Sequence, residues 1–467
     1  MLNITLIQPQ TCDISVEPPK SLAILAAVLD RAGYNARLID LQIPEIRNKW
    51  ESIFKSEKVD LVGLTAMTPH IMDASQIASR VREIDPNVPI IAGGVHASLL
   101  PEKTLEEFPI FDLLVISEGE NTILELADRL KNKKSMIDKS VLGIAYRTKN
   151  ETVITPPRPR ITDLDSLPKF DHDYYDFDYY LKNNTVDAAE NSVSLIVSRG
   201  CPFNCKFCAT RNFWTNRYIA NSPGRVIEEI KYAIDRGGEF MRFRDSTFII
   251  NKKWVHELCD RMIREKLHIR WTVNARVDQV EYNLLKHMKK AGLESIYFGV
   301  ESGTQKMLDF YGKGITLKKV EDAFELCRKL KIKTGGYFML GALPETREDM
   351  EATYQFAKKL KADVSLSFVF MPLPGSDLFD YYIKQGYKVD YSKIKSDKAS
   401  FPAAGYTLEE LEAMRRKWWE DLNSLNPKSN VFMRAINMVL DIRSTRDMKR
   451  IWRRVKKRLP LYKIYDS

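Results

Sequence analysis

Three cysteines fall within eight positions of this 467-residue chain, in the segment Arg199-Gly-Cys201-Pro-Phe-Asn-Cys205-Lys-Phe-Cys208. Cysteine thiolates are the usual ligands of iron–sulfur clusters, and three of them on one loop can hold three irons of a four-iron cubane. The fourth iron then lacks a protein ligand, and an open metal position is what substrate chemistry requires. The segment therefore predicts a [4Fe–4S] cluster on Cys201, Cys205 and Cys208.

A zinc site and three incidental thiols are the alternatives to a cluster. Structural zinc takes four ligands, and no second pair of Cys or His lies near the segment. Cys259 and Cys327 lie within helical stretches, and we expect both in the core. Six cysteines in a chain of this length do not form a disulfide scaffold, so a reducing compartment is expected.

The pattern Cys-x-x-x-Cys-x-aromatic-Cys resembles the signature of the radical S-adenosylmethionine (SAM) superfamily. The resemblance implies that the open iron binds the amino and carboxylate groups of SAM. It also implies that one electron from the cluster cleaves SAM to methionine and a 5′-deoxyadenosyl radical, which removes a hydrogen atom from the substrate. Phe207 matches the aromatic residue that usually lies against the adenine in this family.

The resemblance continues at the ends of the strands that follow the cysteines. Asp245 ends the second of these strands, where many family members carry Gly-Gly-Glu, so a carboxylate is retained but the glycines are not. Taken singly, a buried Glu or Arg at such a place could equally be half of a structural ion pair. By resemblance, the residues that contact SAM are Phe207, Asp245, Arg276, Glu301, Ser302 and Gly341.

These residues need a scaffold, and strand–helix alternation supplies one. The candidate strands of this part of the chain are 194–197, 240–243, 270–273, 295–299, 336–340 and 364–370. Six such units predict an open, partial (βα)6 barrel, with the site at the carboxyl ends of its strands. All the residues that resemble SAM contacts fall on that predicted face.

The first part of the chain shows a second strand–helix alternation. Its candidate strands are 3–7, 37–40, 61–64, 89–92 and 113–116. This pattern predicts a doubly wound, mostly parallel sheet. Ligands of such sheets bind outside the carboxyl ends of the strands. The loops 65–68, 93–97 and 117–120 lie there.

This first region resembles the cobalamin-dependent branch of the superfamily in the stretches 18–27, 93–97 and 118–120. Glycine-rich turns of this kind let the backbone approach a bulky ligand closely. The alternative is an interaction domain without a cofactor, in which His96 is a hydrogen-bonding loop residue. The resemblance implies that cobalamin binds through Thr65, Thr68, Gly93, Gly94, His96, Glu118 and Gly119.

One departure from that branch concerns the cobalt ligand. Many cobalamin proteins carry Asp-x-His-x-x-Gly, but the matching stretch here is Asp40-Leu-Gln-Ile-Pro44, which has no histidine. Ligation of cobalt by that residue is therefore excluded. Methylthiotransferases that act on RNA are a rival class, but they need extra cysteines in the first domain, and only Cys12 is present there.

Positive charge is concentrated near the C-terminus. Eleven Lys or Arg stand against two Asp between Arg434 and Lys463, a net charge of +9 in a chain of net charge +10. Apolar residues, including Trp452, recur among them at helical spacing, as in helices that lie on anionic membranes. A nucleic-acid surface would carry similar charge, and a solvated helix docked on the barrel is a third interpretation. We favour peripheral membrane contact and expect no nucleic acid.

The expected domains follow from these patterns. They are a Rossmann-like cobalamin-binding domain at 1–134, a linker with a small hairpin at 135–192, a radical SAM domain at 193–386 and a helical C-terminal region with a basic amphipathic tail at 387–467. The sequence contains no apolar run of the roughly 20 residues that a membrane span needs. Its start lacks the features of a signal peptide. We therefore expect a cytoplasmic protein that associates with membranes through its tail.

Together these features predict an α/β enzyme that uses SAM, a [4Fe–4S] cluster and cobalamin to modify an unactivated carbon of a small hydrophobic or lipid substrate. Methylation is the commonest chemistry of the family. The sequence is also similar to anaerobic magnesium-protoporphyrin monomethyl ester cyclases, so oxidative cyclisation stays open. Carbon–carbon coupling and a non-catalytic corrinoid or iron–sulfur sensor stay open as well. The expected protein partner is an electron donor such as flavodoxin or ferredoxin.

Overall fold

A computed structural model describes residues 1–10, 17–169, 174–183, 191–391, 394, 401 and 405–424. The basic C-terminal stretch and Cys12 lie outside these residues. Within them, no helix combines the length and the apolar composition that crossing a bilayer requires.

The first region is built on a seven-stranded sheet. Its strands are β1 (Asn3–Gln8), β2 (Asn35–Asp40), β3 (Leu61–Thr65), β4 (Ile90–Gly93), β5 (Leu113–Val115), β6 (Ile144–Arg147) and β7 (Thr152–Ile154). They lie in the order β2-β1-β3-β4-β5-β6-β7, and β1 to β5 are parallel. This arrangement confirms the predicted doubly wound class. The predicted hairpin forms, but as β6 and β7 it extends this sheet by antiparallel pairing instead of standing free in a linker.

Helices cover both faces of this sheet. They are α1 (Lys20–Arg31), α2 (Pro44–Arg47), α3 (Trp50–Lys55), α4 (Ile71–Ile84), α5 (Val95–Leu99), α6 (Pro101–Glu107) and α7 (Glu120–Lys131). Leu22 and Ala26 stand one turn apart on α1 and pack with α7 on one face of the sheet. Ala74 and Ala78 of α4 pack in the same way on the other face. Two short helices, α2 and α3, follow β2, because the backbone at Lys49 leaves the helical region between them.

The second region is an open half-barrel. The strands of this region are β8 (Ser192–Leu195), β9 (Ser198–Arg199), β10 (Ile219–Ala220), β11 (Phe240–Phe243), β12 (Arg270–Ala275), β13 (Leu293–Glu301), β14 (Lys333–Leu340) and β15 (Val364–Val369). Six of these strands form one parallel sheet in the order β15-β14-β13-β12-β11-β8, which confirms the predicted partial barrel. Because side chains alternate along a strand, Trp271 and Val273 enter the helix-covered core, and Thr272 and Asn274 face the concave side.

The helices of this half are α8 (Phe177–Asn183), α9 (Thr210–Trp214), α10 (Pro223–Asp235), α11 (Lys252–Arg264), α12 (Tyr282–Lys290), α13 (Gln305–Phe310), α14 (Leu317–Lys329), α15 (Arg347–Leu360), α16 (Asp377–Lys384) and α17 (Leu408–Ser424). Thr346 and Asp349 form a capping box that starts α15. The first barrel strand ends earlier than predicted, at Leu195. The reason lies in the next turn, where the N–H of Val197 donates to Asp245 Oδ1 at 3.1 Å instead of to a neighbouring strand.

Side chains from other elements bond to the backbone of both edge strands of the half-barrel, β15 and β8. At β15, the amide of Asn423 donates to the carbonyl of Ser365 and accepts from its N–H, both at 3.0 Å. At β8, Lys20 Nζ from α1 donates to the carbonyl of Ser194, and Ser194 Oγ donates to Glu17 Oε2 at 2.5 Å. The first region is therefore bonded directly to the first strand of the barrel. The carbonyl of Ser194 and both backbone groups of Ser365 thus have side-chain partners at the two edges.

Candidate active site

The cysteine segment follows β8 at the carboxyl end of the barrel strands. Cys201, Cys205 and Cys208 are all half-buried. A turn links the last two, because the N–H of Cys208 donates to the carbonyl of Cys205 at 3.0 Å. Burial raises the pKa of the Cys201 and Cys205 thiols, and Lys313 and Arg276 oppose the rise at Cys205. The segment thus presents three thiols at the mouth of the barrel, where cations can stabilise their ionised form.

Backbone bonds fix the shape of this segment. Lys206 donates its N–H to the carbonyl of Tyr311 at 2.8 Å and accepts the N–H of Leu378 at 3.0 Å. Phe207 packs edge-on against the ring of Tyr311, with 5.8 Å between the ring centroids. The middle of the segment is therefore held between the chain after α13 and the start of α16.

Two cations lie beside the thiols, and each is held by an acidic partner. Arg276 Nη1 lies 3.7 Å from Cys205 Sγ, and its guanidinium donates twice to Asp278 at 3.0 Å. Lys313 Nζ donates to Glu301 Oε1 at 2.6 Å, and both of these side chains are at least 90 % buried. Charged groups fixed in this way can balance the negative charge of metal-bound thiolates without having to reorganise.

The stretch predicted to contact SAM at the end of β13 is tightly constrained. Glu301 has a positive φ of 68°. A Cβ at Gly299 would lie 2.3 Å from Glu301 Oε1, so only glycine leaves room for that carboxylate. Ser302 is fully buried, and its hydroxyl lies 3.1 Å from Thr353 Oγ1, which also accepts the N–H of Gly303 at 2.9 Å. The structure therefore engages the Ser302 hydroxyl in holding this turn.

Asp245 lies at the end of β11 and faces both the protein and a cavity. Its Oδ1 accepts hydrogen bonds from the N–H of Val197 at 3.1 Å and from Ser198 Oγ at 2.5 Å. Its Oδ2 is buried and has no hydrogen-bond partner among the described residues. Burial raises the pKa of this carboxyl to about 6. A cavity of about 330 Å³, lined also by Lys20 and Arg244, adjoins it, so this carboxylate has one oxygen left for a ligand.

Gly341 lies in a turn that a buried acid holds. Glu345 Oε2 accepts the N–H groups of Gly341 and Ala342 at 2.6 and 3.3 Å. Burial raises the pKa of Glu345 to about 8. Sequence reasoning picked out Gly341 but missed Glu345. A carboxylate four residues after a glycine and one after a proline was the local signal for such a turn.

At the first sheet, the chain order reverses between β1 and β3, which makes their carboxyl ends the expected ligand crevice. Thr65 ends β3 and Thr68 follows it; Gly93 ends β4 beside them. Gly94 has φ +92°, and a Cβ there would lie 2.6 Å from Thr65 Oγ1 and 2.8 Å from the carbonyl of Ala66. Glycine therefore lets the two loops approach closely, and backbone groups remain beside the crevice.

His96 is buried below this edge. Its Nδ1 lies 3.2 Å from Thr68 Oγ1, and its ring meets the edge of the Tyr391 ring at 4.9 Å between centroids. Burial lowers the pKa of His96 to about 4, so the imidazole is neutral at pH 7. The structure thus places His96 in a hydrogen-bonded, packed position.

Glu118 points away from the crevice, towards the barrel. It bonds to Arg199, two residues before the first cysteine, at 2.7 Å. Gly119 packs beside Leu25 of α1. Sequence reasoning missed Arg199, although its place next to the cysteine segment was a usable signal. The loop after β5 therefore connects the two regions.

The stretch matched to the cobalt-ligand motif lies at the edge strand β2, outside the crevice between β1 and β3. Gln42 Nε2 donates to the hydroxyl of Tyr180 at 3.0 Å, and that hydroxyl donates to Asp40 Oδ2 at 2.5 Å. These side chains are buried and bonded to each other. Their arrangement is that of a packed joint between β2 and α8.

The donor set at the cysteines fits an iron–sulfur cluster, because three thiols on one segment can each bind a separate iron of a cubane. At the carboxyl edge of the first sheet, Thr65, Thr68, Gly93 and Gly94 fit a bulky ligand that is bound through backbone contacts.

Comparison with protein families gives two matches along the chain. Residues 195–357 match the radical SAM superfamily, and residues 15–127 match the B12 binding domain. The first match contains the cysteine segment and β11 to β14. The second contains β2 to β5 and the loops that follow β3, β4 and β5.

Individual proteins show the same combination. An uncharacterized methyltransferase of Pyrococcus horikoshii is 34 % identical over 404 residues, which cover 86 % of each chain. The anaerobic magnesium-protoporphyrin IX monomethyl ester cyclase of Rubrivivax gelatinosus is 32 % identical over 78 % of this chain and 66 % of its own. The solved structure of the radical SAM methyltransferase TsrM from Kitasatospora setae, with cobalamin and a [4Fe–4S] cluster bound, superimposes with a TM-score of 0.69 at 18 % identity. It covers 82 % of this chain and 75 % of that one.

Proposed function

Because the chain belongs to the family of radical SAM enzymes that carry a B12-binding domain, we propose that it methylates an unactivated carbon of a small, hydrophobic substrate. One observation carries this proposal. Three thiols on the segment after β8 lie at the edge of the half-barrel that faces the loops of the first sheet. Asn212, just after that segment, and Leu99 of the first region both contact Gly375.

The sequence-derived site residues are assigned roles in this proposal. Cys201, Cys205 and Cys208 hold the [4Fe–4S] cluster. When bound, the cluster and SAM supply a carbon radical that removes a hydrogen atom, and cobalamin supplies the methyl group. The proposed SAM contacts are Phe207, Asp245, Arg276, Glu301, Ser302 and Gly341. The proposed cobalamin contacts are Thr65, Thr68, Gly93, Gly94, His96 and Gly119, whereas the side chain of Glu118, which the sequence also suggested, is bonded to Arg199 and Ile161 instead.

The side chains of the barrel edge prepare this site electrostatically. Arg276 and Lys313 carry fixed positive charge next to the thiols, which favours their ionised form. Asp245 Oδ2 offers a buried acceptor for a positively charged or N–H group. Such preorganised charges act strongly because little water surrounds them.

The concave face of the half-barrel supports a hydrophobic substrate. Tyr297, Tyr337 and Phe368 stand on the neighbouring strands β13, β14 and β15, with ring centroids about 6 Å apart. Phe368 is 37 % exposed, and both tyrosine rings are half-buried. Aromatic rings on a concave floor favour apolar or planar molecules.

The test follows the products of SAM in the anaerobically reconstituted protein, with dithionite as reductant and SAM that carries a deuterated methyl group. Methylation yields S-adenosylhomocysteine, 5′-deoxyadenosine and a product in which a CD3 group replaces a hydrogen, when a panel of polycyclic and aromatic substrates is supplied. Formation of 5′-deoxyadenosine without S-adenosylhomocysteine would instead support cyclisation or coupling. A protein that binds both cofactors but never consumes SAM would be a sensor. The Cys201→Ala/Cys205→Ala/Cys208→Ala variant is the control.

Two partners belong to the same proposal. A low-potential electron donor such as flavodoxin or ferredoxin reduces the cluster, and the basic stretch 434–463 contacts an anionic membrane surface. Replacement of dithionite by each donor protein tests the first. Flotation with anionic and with neutral liposomes at low salt tests the second, and equal flotation with both would contradict it.

A further inference from the structure

A buried group of charges joins the two regions. Arg199 Nη1 donates to Glu118 Oε1 at 2.7 Å, and its Nη2 donates to Glu120 Oε1 at 2.5 Å. The side chains of Arg199, Glu118 and Glu120 are only 16 %, 7 % and 5 % exposed. The other oxygen of Glu118 accepts the N–H of Ile161 at 2.9 Å. Glu118 therefore has both oxygens engaged in protein contacts.

An indole ring extends this group. Trp214 lies 5.2 Å from the guanidinium carbon of Arg160 and 5.5 Å from that of Arg199, measured to its ring centroid. Arg160 also lies 3.7 Å from Glu118 Oε2 and donates to the carbonyl of Trp214. Stacking on an aromatic face orients the planar guanidinium groups. We call Arg199, Glu118, Glu120, Arg160 and Trp214 the Arg199 bridge.

The bridge holds both ends of the cysteine segment. Arg199 stands two residues before Cys201, and Trp214 stands six residues after Cys208. The short strands β9 and β10 pair Arg199 with Ile219, which draws the two ends together. Glu118 lies in the loop between β5 and α7, and Glu120 is the first residue of α7, at the edge of the first sheet. The segment is thus closed into a loop whose neck is bonded to the first region.

We propose that Glu118 and Glu120 are positioning residues, which act through Arg199 to set the distance and orientation between the cluster segment of the barrel and the cobalamin crevice of the first sheet. This inference rests on the proposed function. Two buried carboxylates repel each other, and Arg199 offsets this repulsion because its guanidinium bonds to both of them. The alignment of the two cofactor sites therefore depends on charges that the two regions share.

A conservative substitution distinguishes positioning from simple stabilisation. Arg199→Lys keeps the positive charge, but an ammonium group cannot bond to two carboxylates with the rigid fork of a guanidinium. If the bridge only stabilised the fold, Arg199→Lys would lower the free energy of unfolding but leave both the exchange at residues 199–214 and the distance between the two cofactors unchanged in the folded protein. If the bridge positions the cysteine segment, Arg199→Lys leaves the protein folded but weakens the contact between the ends of this segment and the first region.

The experiment compares wild type, Arg199→Lys, Glu120→Gln and Glu118→Gln/Glu120→Gln, all as the reconstituted full chain. The matched control is Glu125→Gln, which removes another carboxylate that bonds to two arginines, Arg129 and Arg158, within the first region. Hydrogen–deuterium exchange reports the protection of residues 199–214. Pulsed electron paramagnetic resonance reports the distance between the reduced cluster and cob(II)alamin.

The expected result is at least tenfold faster exchange at 199–214 in the double variant and in Arg199→Lys, with a smaller change in Glu120→Gln and none in Glu125→Gln. The distance distribution between the two spins widens in the same order, while iron and cobalt per chain stay as in wild type. Unchanged exchange and an unchanged distance distribution in folded Arg199→Lys would overturn the proposal. If wild type binds no cobalamin, the proposed function fails, and the exchange data still decide whether the bridge holds the segment.

Discussion

The carboxyl edges of the two sheets are built from different side chains. The barrel edge carries thiols and buried, paired charges, such as Lys313 with Glu301. The edge of the first sheet carries threonines, a glycine pair and the neutral imidazole of His96. The difference teaches how each edge selects its ligand. A compact, charged ligand needs fixed opposite charges, whereas a bulky one needs close access to backbone groups.

Glu118 and Glu120 are the instructive exception. They lie on the first edge but direct their charges to Arg199 of the barrel. These two acidic residues of the first sheet thus hold its carboxyl edge against that of the half-barrel. The following substitutions test the two carboxyl edges separately.

The largest effect is expected from the thiols. The Cys201→Ala/Cys205→Ala/Cys208→Ala variant should contain no [4Fe–4S] cluster, because thiolates are the ligands that hold iron. Its SAM cleavage should fall to the level of a protein-free control, while cobalamin uptake stays that of wild type. Iron analysis, the resonance signal of the reduced cluster and the corrinoid absorption spectrum measure these three quantities. Loss of cobalamin together with iron would show that the edges are not independent.

The next effect concerns the paired charges of the barrel edge. Lys313→Met leaves Glu301 buried without its ammonium partner, which typically costs about 3–5 kcal/mol. The free energy of unfolding in urea measures this loss. Lys318→Met is the control, because the Lys318–Asp322 pair is exposed and such pairs contribute little to stability. Equal losses in the two variants would contradict the role assigned to burial.

At the first edge, the sharpest change is Gly94→Ala. The backbone there has φ +92° and ψ −170°, a conformation that costs other residues about 3 kcal/mol, and the added Cβ meets Thr65. Gly33→Ala is the matched control, since Gly33 also has a positive φ but no atom within 4 Å of an added Cβ, so about 1 kcal/mol is expected. Similar losses in urea denaturation for both variants would mean that the close approach of the two loops is unimportant.

The smallest effect should come from His96 and depends on pH. Burial lowers the pKa of His96 to about 4 from about 6.5, so between these values the unfolded chain binds a proton that the folded chain does not. The stability that the neutral His96 contributes is therefore fully present above pH 6.5 and is lost as the pH falls towards 4. Between about pH 7.5 and pH 5, wild type should lose about 2 kcal/mol more than His96→Gln, measured by urea denaturation. His268→Gln, at an exposed position before β12, is the control, and parallel curves for wild type and His96→Gln would refute a buried, neutral imidazole.

Local sequence patterns predicted most of the scaffold. The six barrel strands and the first five strands of the other sheet appear within a few residues of their predicted places, because apolar runs between amphipathic stretches are local signals. The hairpin was recognised, but its pairing with β5 was not, since nothing in residues 144–154 specifies a partner strand. The predicted domain limits stay predictions.

The candidate site shows the same limit. Sequence reasoning placed Asp245, Arg276 and Glu301 at strand ends, and the structure brings them to one edge. It could not find the partners of Asp245, because Val197 and Ser198 lie 48 and 47 positions away in the sequence. Arg199 bonds to Glu118 across 81 positions. Long-range pairs of this kind follow from the fold, not from any local pattern.

The amide of Asn423, on α17, has a consequence for assembly at the outer strand β15. It occupies both the N–H and the carbonyl of Ser365, two of the groups through which a strand from another copy would attach. These two groups are therefore not available to a neighbouring chain, which makes edge-to-edge aggregation less favourable at this position of the strand.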